Sequence, residues 1–362
     1  MSSSKPELRW GIIGTGWIAS IFVNDLLANR PNAPAIHMIT AIGSSSKAKG
    51  AQFVDRHWKD SSSIKPTVYE TYQAVYTSTD VDIVYIATPH TLHKQNCLDA
   101  MAAGKHVLCE KPFTINASEA QEVITMARAN GVYVMEAVWT RFFPMVLELQ
   151  NKIQRGVVGR VRRSIVEIGL KADWAEQPST SRLKDPALGG GALLNIGFYP
   201  LTFASVVYGD GLLGEPHPKV KVTSQLMVVE GVDESDAILL TYTAQDGFRS
   251  SAICLATVHS RHSSEFGRIE GTEGSIILFT DTGPSSPRGF QIRSKDGKEE
   301  KFSFSHEPGT LGFVYEADGV AMDIAAGKLE SDVMPLGETL RMMRLMDEIR
   351  AQNNFGYPQD DN

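Results

Sequence analysis

Arg9-Trp10-Gly11-Ile12-Ile13-Gly14-Thr15-Gly16-Trp17-Ile18-Ala19 stands near the start of the chain, a short apolar run that breaks into G-x-G-x-x-A. The apolar run predicts a buried parallel strand. Gly14 permits a tight turn, and Gly16 lets main chain approach a pyrophosphate at the N-terminus of the following helix. Glycine turns are common, so context carries the reading: helix-like Trp17 to Asn29 follows, and a second apolar run, Ile36 to Ile42, completes a βαβ unit. The expectation is a dinucleotide-binding turn in which Gly14, Thr15, Gly16, Trp17 and Ile18 meet the cofactor.

The end of the second strand bears on which dinucleotide. An NAD-selective fold usually places Asp or Glu there to accept from the ribose 2′-hydroxyl, and this chain has no carboxylate between Asp25 and Asp55. Ser44, Ser45, Ser46 and Lys47, with Lys49 close behind, offer hydroxyls, main-chain N–H groups and cations instead. A 2′-phosphate dianion needs such donors and a carboxylate would repel it, which points to NADP.

Composition bounds the rest. With 362 residues, 42% hydrophobic and 21% charged, the chain is long enough for two domains. A net charge of −7 gives no reason to expect nucleic acid or an anionic membrane as partner. No apolar run is expected to span a membrane, Met1 to Pro6 lacks a signal-peptide core, and Gln359 to Asn362 carries no peroxisomal signal. Three isolated cysteines, Cys97, Cys109 and Cys254, fit a reducing compartment, and a cytoplasmic enzyme is the expectation.

Strand-like and helix-like segments then alternate: Val81 to Ala87, Leu92 to Ala103, His106 to Cys109, Ser118 to Asn130 with Ser118 or Asn116 as cap, and Val132 to Ala137. This is the rhythm of a doubly wound parallel sheet, whose ligands bind beyond the carboxyl ends of the strands. Beyond Pro144 a helix at Met145 to Arg155 leads into period-two segments at 161–168, 220–229, 237–243, 250–258, 268–279 and 290–304. Lys184 to Tyr208 interrupts them with a glycine-rich start and a helical apolar pattern, and Leu336 to Ala351 predicts a final helix. The expected class is α/β: a Rossmann dinucleotide-binding domain over 1–143, and over 144–362 an α+β domain with a large, mostly antiparallel open sheet for substrate binding and dimerisation.

Gly14 to Ala19, Ala87-Thr88-Pro89-His90, Cys109-Glu110-Lys111-Pro112-Phe113, Glu136 to Pro144 and Leu188 to Tyr199 together resemble the glucose-fructose oxidoreductase and inositol dehydrogenase superfamily. Within it, the Glu136 to Pro144 block and Tyr199 look most like dimeric trans-dihydrodiol dehydrogenases and fungal NADP-dependent D-xylose 1-dehydrogenases. The resemblance implies that Lys111 faces nicotinamide and substrate, and it allows a cis Lys111-Pro112 bond, a geometry of low cost only before proline. An ammonium there stabilises a developing alkoxide and lowers the pKa of a nearby phenol. Tyr199 is then the general acid/base, its ordinary pKa of about 10 needing such a cation to be useful near neutrality.

The resemblance also places Thr88, Pro89, His90 and His93 along the nicotinamide ribose, Glu110 beside the cofactor, and Trp139 and Arg141 near the nicotinamide, with Trp174 and Arg182 lining a sugar pocket. Relatives usually show Asp at position 195. Asn195 can orient a hydroxyl or a lysine but carries no charge, and it lies four residues before Tyr199, on the same face of an α-helix. His90-x-x-His93 and His259-x-x-His262 lack a third ligand, so no metal is expected. The resulting reading is an NADP-dependent oxidoreductase and homodimer whose small-molecule substrate is a sugar such as D-xylose, oxidised at C1, or a cyclic diol. A carbonyl reductase of a specialised pathway is the nearer alternative and a non-catalytic NADP-binding sensor the more distant one.

Overall fold

A computed structural model of the chain describes residues 5–59, 61–209 and 219–361. Met1 to Ser4, within the stretch read for a leader, and Asn362, the end of the stretch read for a peroxisomal signal, lie outside them. The chain divides into two compact units, one running to Phe142 and resuming over His306–Met343, the other holding Phe143–Ser305 and the chain from Arg344. The segment 306–343 thus lies with the first unit, where a single cut at 143 had assigned it to the second.

The first unit follows the order β1 (Glu7–Ile13), α1 (Trp17–Leu27), β2 (Ile36–Gly43), α2 (Lys47–His57), β3 (Thr67–Tyr69), α3 (Tyr72–Tyr76), β4 (Ile83–Ile86), α4 (His93–Ala102), β5 (His106–Glu110), α5 (Ala117–Asn130) and β6 (Val134–Ala137). Its six strands pair in parallel in the order β3-β2-β1-β4-β5-β6. Ile12, Ile13, Ile83, Val84, Val107 and Leu108 are fully buried, as a parallel sheet covered on both faces requires. The order reverses between β1 and β4, which is where a doubly wound sheet opens a crevice at its carboxyl edge. Asn116, not Ser118, caps α5, its side chain accepting from Glu119 N at 2.9 Å.

In the second unit α6 (Pro144–Gln154) leads to β7 (Val161–Gly169), a loop and α7 (Phe198–Tyr208), then β8 (Val220–Val229), β9 (Val232–Thr243), β10 (Arg249–Thr257), β11 (Glu265–Gly271), β12 (Gly274–Phe279), β13 (Gly289–Ser294) and β14 (Glu299–Ser303). The eight strands run β14-β13-β12-β11-β7-β10-β9-β8, antiparallel except for the parallel pair β7 and β10. One face buries Val222, Leu240, Ala252, Ile269, Ile276 and Ile292 in register across the sheet. The helical stretch Pro186–Tyr208, with a mean hydropathy of 1.4 over its most apolar window, is long and apolar enough to cross a membrane, contrary to the expectation that no run would be. That window is wholly buried inside the protein, so its apolarity serves the core.

One element unread in the sequence, the helix before the last, explains why the chain returns to the first unit. α8 (Phe313–Ala325) begins at Gly312, whose own side chain cannot cap it. Asp25 on α1 does so instead, its buried carboxylate accepting from Leu311, Gly312 and Phe313 N, each at 2.8 Å. Asp318 further along α8 pairs with Arg30 at 2.7 Å and His37 at 2.8 Å, and Trp139 stacks on Phe313 with centroids 4.2 Å apart. α9 (Leu336–Gln352) then crosses back, its residues from Arg344 belonging to the second unit.

Asp25→Ala strands three main-chain donors at once. A loss of about 3 kcal/mol is expected, on the scale of a lost cap plus unsatisfied buried N–H groups. Urea unfolding should show it as a lower midpoint at unchanged slope, and Asp25→Asn, which keeps one acceptor, should lose less.

Candidate active site

At the carboxyl edge of the parallel sheet, Gly14 leaves β1 with φ +97°, and a Cβ there would sit 3.0 Å from the Ala87 carbonyl oxygen beyond β4. Packing therefore demands glycine at 14. At Gly16 a Cβ would meet no atom within 4 Å, so protein packing does not require glycine there. No side chain caps α1 at Gly16, whereas Ser46 caps α2 and Asn116 caps α5. An open, uncapped helix start with Trp17 exposed beside it fits a pyrophosphate, which would supply the acceptors this turn lacks.

The serine loop divides by role. Ser44 is buried, its hydroxyl 3.3 Å from that of Thr15, so it braces the glycine turn from behind. Ser46 spends its hydroxyl accepting from Lys49 N at 3.3 Å. Ser45, Lys47 and Lys49 are the exposed members. Lysines in the first turn of α2 stand where the helix dipole disfavours cations, by roughly 0.3–1 kcal/mol each. An anion at that helix start reverses the sign.

Beyond β4 and β5 the loops are tied to each other. His93 is fully buried, with Nδ1 2.9 Å from the Pro112 carbonyl and Nε2 2.9 Å from that of Thr88. Both ring nitrogens are occupied by main chain, so His93 is a strut between the loops and not the ribose contact expected of it. Burial lowers its pKa, against those carbonyls. Thr88 also receives Asn96 Nδ2 on its hydroxyl at 3.2 Å, Pro89 starts the turn His90–Leu92, and His90 is buried with its ring 5.8 Å from that of His93.

Glu110 is buried too, accepting from the Tyr85 hydroxyl and from Lys111 N. It anchors its own loop. Lys111 itself is half-buried and precedes a cis bond to Pro112. Glu136, at the end of β6 and unread as a site residue, accepts from Phe113 N at 2.9 Å. Arg141 donates to the Val333 carbonyl at 2.8 Å and pairs with Glu338 at 3.4 Å, so it is committed to the start of α9, while half-buried Trp139 lies on α8.

The remaining predicted residues share the second unit. Leu193–Gly197 is a single π-turn, not α-helix, so Asn195 and Tyr199 do not stand in the α-helical i, i+4 relation expected of them. Asn195 Nδ2 donates to Gly191 O at 2.7 Å, and its Oδ1 accepts from Arg182 Nη1 at 2.9 Å. Tyr199 is buried in the first turn of α7, where Pro200 is tolerated. Trp174 donates its indole N–H to Glu234, Lys184 Nζ lies 5.2 Å from the Trp174 ring centroid, and His259 Nε2 faces the other oxygen of Glu234 at 3.0 Å. His262 Nδ1 faces Gly169 O, and among the described residues no group of three or more His, Cys, Asp or Glu is placed to hold a metal.

Under the π-turn lies a pair that sequence reading missed. The register of β8 and β9 slips at Glu234, and this bulge turns both Asp233 and Asp236 inward although they are three residues apart. Asp233 Oδ2 accepts from Leu193 N at 2.5 Å, while neither oxygen of Asp236 has a hydrogen-bond partner within bonding distance. Burial, then the charge of Asp233, raises Asp236 well above the usual carboxylate range, and burial raises Asp233 too, against the Leu193 amide. The signal was three acidic residues, Asp233, Glu234 and Asp236, at the head of an otherwise apolar strand.

The topology of the first unit and its uncapped glycine turn define a dinucleotide-dependent enzyme. The chain belongs to the GFO/IDH/MocA oxidoreductases: residues 8–138 match the family's NAD-binding Rossmann fold and residues 146–277 a GFO/IDH/MocA C-terminal domain. It is 33% identical to a D-xylose 1-dehydrogenase (NADP(+)) of Hypocrea jecorina, over 99% of this chain and 95% of that one. It is 31% identical to the trans-1,2-dihydrobenzene-1,2-diol dehydrogenase of Bos taurus, over 98% and 99%. Among solved structures, a 3-ketoreductase from Actinomadura kijaniata shares the fold with a TM-score of 0.77 at 23% identity, covering 96% of this chain and 98% of that one.

The upward shift of Asp236 has a consequence for stability. Because its folded pKa lies above the unfolded value of about 4, its contribution is complete below that pH and is lost as pH rises toward the folded value. Asp236→Asn removes this loss. Thermal unfolding from pH 5 to 9 should show the variant gaining on the wild type as pH rises; parallel curves would mean that Asp236 does not titrate differently on folding.

Proposed function

We propose that this protein is an NADP-dependent dehydrogenase that oxidises an aldopyranose, D-xylose first among them, at C1 to the lactone. The observation that carries the cofactor choice is the start of α2, where exposed Ser45, Lys47 and Lys49 occupy the position that a ribose-binding carboxylate takes in an NAD enzyme. The substrate class is supported by full-length similarity to a D-xylose 1-dehydrogenase. Trans-diol oxidation is the second reading, supported by the bovine relative.

When bound, NADP supplies the hydride acceptor. Gly14, Thr15, Gly16 and the first turn of α1 would hold its pyrophosphate, and Ser45, Lys47 and Lys49 its 2′-phosphate. Tyr199 takes the proton from the sugar's anomeric hydroxyl as the C–H hydride departs and C1 becomes a carbonyl carbon. Lys111 stabilises the negative charge that develops on that oxygen. Asn195, donating to Gly191 and accepting from Arg182, fills its place as an amide: an ionised aspartate would set an oxygen against the Gly191 carbonyl. That favours an adapted enzyme over a sensor.

A screen of pentoses, hexoses and cyclic diols, read as NADPH absorbance, tests the substrate. D-Xylose is expected to lead in kcat/KM, and a trans-diol ahead of it by tenfold would install the second reading. Titration calorimetry should give NADP at least a tenfold lower Kd than NAD, about 1.4 kcal/mol. Tyr199→Phe and Lys111→Met should each cut turnover by about two orders of magnitude with NADP still bound.

We also propose that the protein is a homodimer. On the face of the eight-stranded sheet opposite the core, Leu239, Ile253 and Ile165 stand in register across β9, β10 and β7, Arg268 of β11 separates Ile165 from Ile277 of β12, and Leu239 keeps 39% of its surface exposed. An exposed apolar row of three residues flanked by a charged one is what the core and rim of an isologous contact cover. Light scattering should report two chains per particle at micromolar concentration and one for Ile253→Asp.

A further inference from the structure

The turn that carries Lys111 is held by side chains on several sides. Glu110 accepts from Lys111 N, His93 faces Pro112 O, Glu136 accepts from Phe113 N at 2.9 Å, and Cys109 Sγ lies 3.8 Å from the Phe113 carbonyl. Glu110 and Cys109 are local to the turn, whereas His93 and Glu136 reach it from α4 and β6. Glu136 stands out chemically. It is fully buried, and its Oε2 makes no hydrogen bond. One acceptor suffices for the Phe113 amide, and glutamine would supply it without a charge. Packing and hydrogen bonding therefore leave the ionisable carboxyl itself unexplained.

We propose that Glu136 is a positioning residue for Lys111: its carboxyl fixes the Phe113 amide, and so the turn on which Lys111 stands, and its charge acts on the Lys111 ammonium. The inference rests on the reading of Lys111 as the group that stabilises the alkoxide. The ionisable groups around Glu136 are Lys111 on the turn, Cys109 on β5 and Glu338 on α9, beside the Thr339 hydroxyl. Glu338 is itself paired with Arg141 and Arg341. Burial raises the Glu136 carboxyl to about 8; Thr339, the Phe113 amide and Lys111 pull it down, and Glu338 adds to the rise. While neutral, Glu136 adds no charge opposing the ammonium. Once ionised it offsets that field, and the help Lys111 gives to the developing alkoxide declines as pH passes 8.

The test compares Glu136→Gln, Glu136→Leu, Lys111→Met and the double variant Glu136→Leu/Lys111→Met, with kcat and KM from pH 6 to 10 at saturating NADP. NADP Kd is taken by calorimetry, and the carboxylic acid band is followed by infrared spectroscopy on the protein alone. Glu136→Leu should lose between tenfold and about a hundredfold in kcat, the scale of a misplaced catalytic group, with NADP Kd within threefold. Glu136→Gln should recover most of that loss, and the inflection near pH 8 in kcat should vanish with it. In the wild type an acid band should disappear between pH 7 and 9 and be missing from Glu136→Gln. Adding Glu136→Leu to Lys111→Met should cost little more.

Wild-type turnover in Glu136→Leu, or equal slowness of the Gln and Leu variants, overturns the proposal. Should Glu136→Leu fail to fold, an inflection near pH 8 that persists in Glu136→Gln overturns it instead. Lys111→Met turning over like wild type defeats the reading of Lys111 and this inference with it. Lys111→Met slow with Glu136→Leu fast defeats this inference alone.

Discussion

A main-chain amide that leaves a regular element while still buried must find an acceptor, and in this protein buried carboxylates supply it wherever the chain does something unusual. Asp25 takes the three amides that open α8, Asp233 takes Leu193 at the head of the π-turn, and Glu136 and Glu110 take Phe113 and Lys111 beyond β5. A carboxylate only accepts, so it can serve several amides at once. Burying it is costly unless those amides, a neighbouring cation or a proton offset the charge.

How each carboxyl meets that cost decides its behaviour. Asp25 receives three amides and has Arg30 in range, yet burial still lifts its pKa. Asp233 and Asp236 are both raised by burial, Asp236 further by the charge of Asp233. Glu136 has one amide and a nearby ammonium, too little for full ionisation near neutrality. Glu316, buried on α8 without a hydrogen bond, is raised well above the usual carboxylate range by burial and by Glu110. The first unit thus buries several of its acids and exposes Lys47 and Lys49 at the start of α2, an arrangement that leaves the negative net charge of the chain compatible with a site for a phosphate dianion.

Local pattern sufficed for much of this. The glycine spacing at 14 and 16, the missing acid after β2 and the alternation of strand and helix depend on sterics and periodicity within a few residues, and the six-stranded parallel sheet and the largely antiparallel sheet formed as that pattern implied. What failed was local pattern completed from afar. α8 has helical apolar spacing in Phe313, Val314, Ala317, Val320 and Ala321, but its cap comes from Asp25, far back along the chain, and Gly312 gave no sign of it. His93 was placed along the nicotinamide ribose by the family resemblance, and only the fold put a carbonyl on each of its nitrogens.

The same distinction holds among the candidate site residues. The amino-acid sequence by itself determined which residue types stand at the carboxyl ends of the strands, because strand ends and glycine turns are short-range properties of the chain. Tertiary structure alone decided that Ser44 is a strut while Ser45 remains exposed, that Arg141 is tied to the start of α9, and that Asn195 stands in a π-turn and not an α-helix. It also decided that Glu136, Asp233 and Asp236 matter, since a carboxylate's charge depends on its burial and its partners, and those are set by segments distant in the chain.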